Sequence, residues 1–149
     1  MIMDKKTVLK SLRINYFVSL AAALIVLLAF ELGYLEKGAL AMAVSSTAMY
    51  VIEVVTIMLT VLLIPLAVKG FTNSMSKAKG LSEEELVKLF LKKSLQRIFL
   101  LFIVIIVNEF AYYGLGYNGG LYCGLLGFGS MIYSFPTRMV LEQYSNSEK

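Results

Sequence analysis

Apolar and polar positions fall in long blocks along this chain, not at the short spacing of a soluble helix or strand. Four apolar blocks occupy about 14–35, 41–68, 96–114 and 119–135, the first densest over 16–30. A helix needs roughly 20 mostly apolar residues to cross a hydrocarbon core. Backbone groups in lipid must satisfy their own hydrogen bonds, so each block reads as a helix. The expectation is an all-α polytopic membrane protein, a single domain over 1–149 with four transmembrane helices in an up-down bundle. The sequence "ALA" at 39–41 has the form of a signal-cleavage site. Glu31, Glu36 and Lys37 part it from the apolar heart of the first block, so that block is expected to be retained.

Between the second and third blocks lies a polar stretch, 69–95. Its first part, "KGFTNSMSKAKG", reads as a linker. Its second part opens with Ser82 and Glu85 at the spacing of a capping box, with Glu83 and Glu84 in the first turn where the helix dipole favours carboxylates. A helix is predicted from Glu83 without a break into the third span. Lys88, Lys92 and Lys93 beside Leu86, Leu89, Phe90 and Leu91 make its early part basic and amphipathic, which suits the membrane surface or a docking partner. The residues 136–149 read as a tail.

Charge orients this arrangement. Lys5, Lys6, Lys10 and Arg13 precede the first span; Lys69, Lys77, Lys79, Lys88, Lys92, Lys93 and Arg97 lie between the second and third; Arg138 and Lys149 follow the fourth. Thirteen of the fourteen basic residues thus share one side, and only Lys37 lies on the other. The basic side is expected to be cytoplasmic, with both termini there, in a plasma or inner membrane. Tyr34, Tyr50, Tyr112, Tyr113, Tyr117 and Tyr122 gather at the opposite boundary, as an aromatic belt does.

Composition narrows the chemistry. The chain is 58% hydrophobic, with a mean hydropathy of +0.76, too apolar for a soluble domain of 149 residues. The net charge of +4 is spread between spans and forms no nucleic-acid face. There is no histidine and one cysteine, Cys123, so an internal disulfide and the commonest metal and acid–base sites are excluded. No cofactor or metal is implied, and an intramembrane enzyme ranks behind other readings.

The polar residues inside the spans are then the candidates for function. At about 1.5 Å per residue, Glu31 lies about 27 Å from the inner boundary, Glu53 about 24 Å and Glu109 about 18 Å. All three fall in the outer half, and they must be protonated, reach water or meet a cation. Ser46, Tyr50, Glu53, Thr56 and Thr60 share one face of the second span, expected to point toward Asn108 and Glu109. Pro65 below that face predicts a kink. Gly116, Gly120 and Gly124, with a second small-residue line of Cys123, Gly127, Ser130 and Ser134, predict close helix packing, within the bundle or in a homo-oligomer.

The two hairpins also echo each other weakly. "SLRINYF" and "SLQRIFL" open spans one and three, "ELGY" and "EFAY" close them, and a proline sits near the inner end of spans two and four. A duplication would make a parallel repeat.

The leading functional expectation is transport or channel-like handling of a small cation or cationic ligand. Its pocket would be lined by Glu53, Glu109, Asn108 and Glu31 with Tyr50, Tyr112 and Tyr113, since carboxylates and tyrosine faces both attract cations. The alternative is a non-catalytic accessory or structural subunit whose polar face and glycine line hold a membrane partner.

Overall fold

A computed structural model of the protein describes residues 4–145. Among these the regular elements are all helical: α1 (Lys5–Glu31), α2 (Ala39–Ala43), α3 (Ser46–Ser76), α4 (Glu83–Leu115), α5 (Asn118–Tyr133) and α6 (Arg138–Ser145). Lys149, the last of the basic residues, lies outside the described range.

Three helices, α1, α3 and α4, are long and apolar enough to cross a membrane, with mean hydropathies of 2.0, 2.6 and 2.1 over their most apolar windows. The fourth apolar block forms α5, which has 16 residues and is about 24 Å long. The central element is α4, which packs against each of the other five helices. Lys5 bonds Glu83 at 2.6 Å and Tyr113 bonds Glu31 at 2.6 Å, so α1 and α4 run parallel. Thr60 and Phe71 of α3 meet Asn108 and Arg97 of α4 in that order, and so do Gly120 of α5 and its C-cap Ser134, which sets α3 and α5 antiparallel to α4.

Burial divides along the long axis. In its apolar window α4 is 44% buried, against 17% for α1 and for α3. Ile25, Val61, Leu62, Leu125 and Leu126 remain exposed at mid-height, as side chains facing hydrocarbon can. At the basic end, Val8, Leu9 and Leu12 of α1, Phe71 and Met75 of α3, Val87 and Phe90 of α4 and Leu141 of α6 form a closed core. There the helices leave the apolar zone, so their apolar faces must be covered by protein.

That core accounts for three departures from the sequence expectations. Most of the stretch expected to be a linker is helix: α3 continues to Ser76 and only Lys77–Gly80 turns. Phe71 and Met75, four residues apart, bury one face of this extension, and their packing outweighs the weak helix preference of Gly70, Asn73 and Ser74. The apolar side of the basic part of α4 is largely turned into the chain: Leu86, Val87 and Phe90 are buried there, and Leu89 and Leu91 are partly buried. The tail contains α6, whose Leu141 is fully buried in the same core.

The predicted start of α4 is present. The Ser82 and Glu85 side chains form the reciprocal capping box, and α4 then runs unbroken for 33 residues. Continuity extends also to α3, which passes through Pro65 without interruption. The first helix stops at Glu31, not near 35, and Gly33 and Gly38, both at φ 79°, turn the chain into α2. Pro65 lies within α3 whereas Pro136 follows the end of α5, a point at which the two hairpins differ.

Candidate functional site

A cleft of about 240 Å³ lies in the apolar zone over α4, between α1 and α5. Leu24 and Leu27 of α1 form one wall, and Leu121, Leu125 and Phe128 of α5 form the other. The floor is α4, through Ile105, Asn108, Glu109, Tyr112 and Tyr113.

Glycine sets the floor's depth. A Cβ on Gly120 would lie 2.8 Å from the Tyr112 backbone nitrogen and 2.9 Å from the Asn108 carbonyl oxygen, so the α5 backbone rests directly on α4. Gly127 packs as closely further along α5, but against the side chains of Val104 and Ile105. Gly124 sits between them at looser range, beside the Asn108 side chain. Thus Gly120, Gly124 and Gly127 pack against α4 of the same chain. Gly116 does not belong to that face: at φ 69° it is the left-handed C-cap of α4, with open space around its Cα.

Asn108 is 1% exposed, and its amide nitrogen donates to the Thr60 hydroxyl at 2.8 Å and the Val104 carbonyl at 2.7 Å. Thr60 can accept because its own hydrogen goes to the Thr56 carbonyl at 2.9 Å. Asn108 Oδ1 and Glu109 Oε2 are both buried without a hydrogen-bond partner among the described residues. Two adjacent residues of α4 that line one apolar cleft thus each carry a buried, unmatched acceptor oxygen, and such an atom is costly.

Tyr113 closes the end of the cleft away from the basic core. Its ring stacks on Phe30 at 4.9 Å between centroids, and Tyr112 meets it edge-on at 4.8 Å. Its hydroxyl donates to Glu31, which also accepts from Lys37 at 3.0 Å. The Lys37 ammonium lies 5.2 Å from the Tyr113 ring centre. Sequence reading missed this role of Lys37, although it is the lone cation at a boundary with three carboxylates nearby.

The expected pocket residues are thus divided. Asn108, Glu109, Tyr112 and Tyr113 line the cleft together. Glu31 touches its rim through Tyr113 only. Glu53, half-buried on α3, and Tyr50, 67% exposed, are not among its lining residues. The α3 face expected to point inward does so in its lower half, where Thr56 and Thr60 are 3% and 2% exposed, while Ser46 and Tyr50 face outward. Among the described residues, no group of His, Cys, Asp and Glu could hold a metal ion.

A second buried polar cluster lies toward the basic end. Arg97 is 7% exposed; it donates to the Ser134 carbonyl at 2.9 Å and places its guanidinium 4.0 Å from the Phe71 ring centre. Ser134 is the C-cap of α5, so Arg97 supplies a cation where the helix dipole is negative. Its place at the edge of an apolar block was the available signal.

No protein-family model matches the chain, and neither a curated protein nor a solved structure shows significant similarity to it.

Proposed function

We propose that this is a multi-pass membrane protein that binds and moves a small organic cation through the cleft over α4. In this reading α1, α3, α4 and α5 cross the bilayer of a plasma or inner membrane, with the basic end cytoplasmic. For α5, protein-packed residues at both ends complete the crossing that its own length of about 24 Å leaves short.

The observation that carries the reading is the pair of unmatched oxygens, Glu109 Oε2 and Asn108 Oδ1, on two residues lining one apolar cleft. A cationic head answers both oxygens by charge, and the Tyr112 and Tyr113 rings add cation–π attraction. The leucines and Phe128 suit an apolar body attached to that head. A proton competes with the cation for the Glu109 carboxylate, which couples cation movement to proton movement.

The test is binding of benzyltrimethylammonium to the purified full chain, followed by pH change inside liposomes on a jump in its external concentration. Glu109→Gln is expected to abolish binding and the pH signal; Glu53→Gln, outside the cleft, is expected to retain both. Equal binding by wild type and Glu109→Gln would sink the proposal.

A second reading, the accessory subunit, draws support from the exposed apolar side chains of α3, including Val51, Val55, Met58 and Leu62. That face suits a partner helix as well as lipid. A partner that co-purifies stoichiometrically and survives Glu109→Gln, with no cation bound by either form, would favour it.

A further inference from the structure

At the basic end, a groove of about 1030 Å³ runs between α1 and α6, sharing no residue with the cleft. Its lining changes character along α1, from cationic to apolar. Lys5, Lys6, Lys10 and Arg13 occupy the first turns, joined by Arg138 of α6. Ile14, Phe17, Val18 and Ala21 continue the same side of the helix, and all four are exposed.

Charge in the groove is not balanced. Its five cations face two carboxylates, Asp4 and Glu142. Glu142 is taken by Arg138 at 2.6 Å, Asp4 accepts from the Lys6 backbone at the start of α1, and Lys5 bonds Glu83. Arg13 donates to the Pro136 carbonyl and lies over the Phe135 ring. Lys6 and Lys10 are exposed on the groove, and no carboxylate lies within ion-pair distance of either among the described residues.

We infer that this groove is a binding site for one anionic phospholipid, its phosphate beside Lys6, Lys10 and Arg13 and an acyl chain along Ile14, Phe17, Val18 and Ala21. The dimensions agree. Arg13 to Ala21 spans eight residues, about 12 Å of helix, against about 15 Å for the hydrocarbon of one leaflet. A soluble anion would use only the cationic part, and the exposed apolar continuation selects the lipid. The negative cytoplasmic leaflet supplies such lipids where the basic end resides.

The experiment measures association of spin-labelled phosphatidylglycerol and phosphatidylcholine with the full chain in phosphatidylcholine bilayers. Wild type is expected to prefer phosphatidylglycerol, and Lys6→Gln with Lys10→Gln to lower that preference on the order of tenfold. Lys69→Gln with Lys79→Gln removes the same charge outside the groove and is expected to leave most of the preference. Ala21→Trp, which changes no charge but fills the acyl track, is expected to reduce it, and excess inorganic phosphate to displace little. Equal loss in the two double variants would reduce the effect to general surface attraction and overturn the site. So would full displacement by phosphate, no effect of Ala21→Trp, or no preference in the wild type. Each variant is compared at matched helicity and melting temperature, so that misfolding is read separately.

Discussion

The amide of Asn108 donates to the hydroxyl of Thr60 at 2.8 Å, tying α4 to α3 through two residues that are each nearly fully buried. The same amide also bonds the Val104 carbonyl, so both of its hydrogens are used, while its buried oxygen has no partner among the described residues. This one side chain therefore joins the packing of the bundle to the candidate site.

Thr60→Val keeps the volume and removes the acceptor. Interhelical hydrogen bonds in membranes average about 0.6 kcal/mol, with a maximum near 1.7. A double-mutant cycle of Thr60→Val and Asn108→Leu, read by unfolding in mixed detergent micelles, is expected to give coupling in that range. Strict additivity would show that the pair contributes nothing to the contact between α3 and α4.

The glycines of α5 divide by what stands opposite them. Gly120→Ala places its methyl against backbone atoms of Tyr112 and Asn108, which cannot move aside without shifting α4. A loss of about 1–3 kcal/mol is expected. Gly129 has open space around it, so Gly129→Ala is expected to stabilise α5 by about 0.5–1 kcal/mol. Unfolding curves of the two variants check this; similar effects in both would mean that α5 does not rest on α4 through Gly120.

The features legible in the sequence were those set by local rules. Ser82 and Glu85 announce the start of α4 because a capping box involves only neighbours three residues apart. Apolar blocks announce α1, α3 and α4 because hydrocarbon selects composition over a whole span. What stayed hidden depends on contacts distant in sequence. Phe71 and Met75 extend α3 only because Phe90 and Arg97 lie across from them. Glu53 and Glu109 do not share a cleft: counting residues put both in the outer half, but Thr60 is the α3 residue opposite Asn108 and Glu53 lies about two turns beyond it, a register that only the contact between α3 and α4 reveals. Gly116 matched the spacing of Gly120 and Gly124, yet spacing does not reveal that a helix ends there.

Acid should loosen the start of α4. The Ser82 hydroxyl and backbone amide both bond the Glu85 carboxylate, and these bonds hold its pKa below the ordinary value, with a smaller contribution from Lys88. A lowered folded-state value means that the cap stabilises fully above the unfolded carboxyl's range, near pH 4.3, and loses that contribution as pH falls through the lowered value. Hydrogen-exchange protection at Glu85 and Leu86, corrected for the intrinsic effect of pH, is expected to drop in that window. Glu85→Gln should remove the dependence; an unchanged acid response in that variant would assign it to another group.

Arg97 is expected to resist replacement by lysine. Its guanidinium stacks on Phe71 while one nitrogen reaches the Ser134 carbonyl, and a lysine cannot present a flat face and a directed donor together. Arg97→Lys is expected to destabilise the fold, and its coupling to Phe71→Leu should be about 1–2 kcal/mol for a desolvated cation–π pair. Zero coupling would leave the stacking incidental and the bond to Ser134 as the whole effect.

Tyr113 offers a test of whether the rim controls the cleft. Its ring lines the recess and is held twice, by stacking on Phe30 and by the hydroxyl bond to Glu31. Tyr113→Phe keeps the first hold and removes the second. The Glu31–Lys37 pair that remains is exposed, and such pairs contribute little alone. Losing one hydrogen bond of ordinary net strength, about 0.5–1.5 kcal/mol, should speed benzyltrimethylammonium release roughly two- to tenfold. Glu31→Gln, which can still accept from the tyrosine, should change release much less. Stopped-flow displacement by unlabelled cation gives both rates. Identical rates in wild type and Tyr113→Phe would make the Tyr113–Glu31 bond a tie between α4 and α1 with no part in closing the cleft.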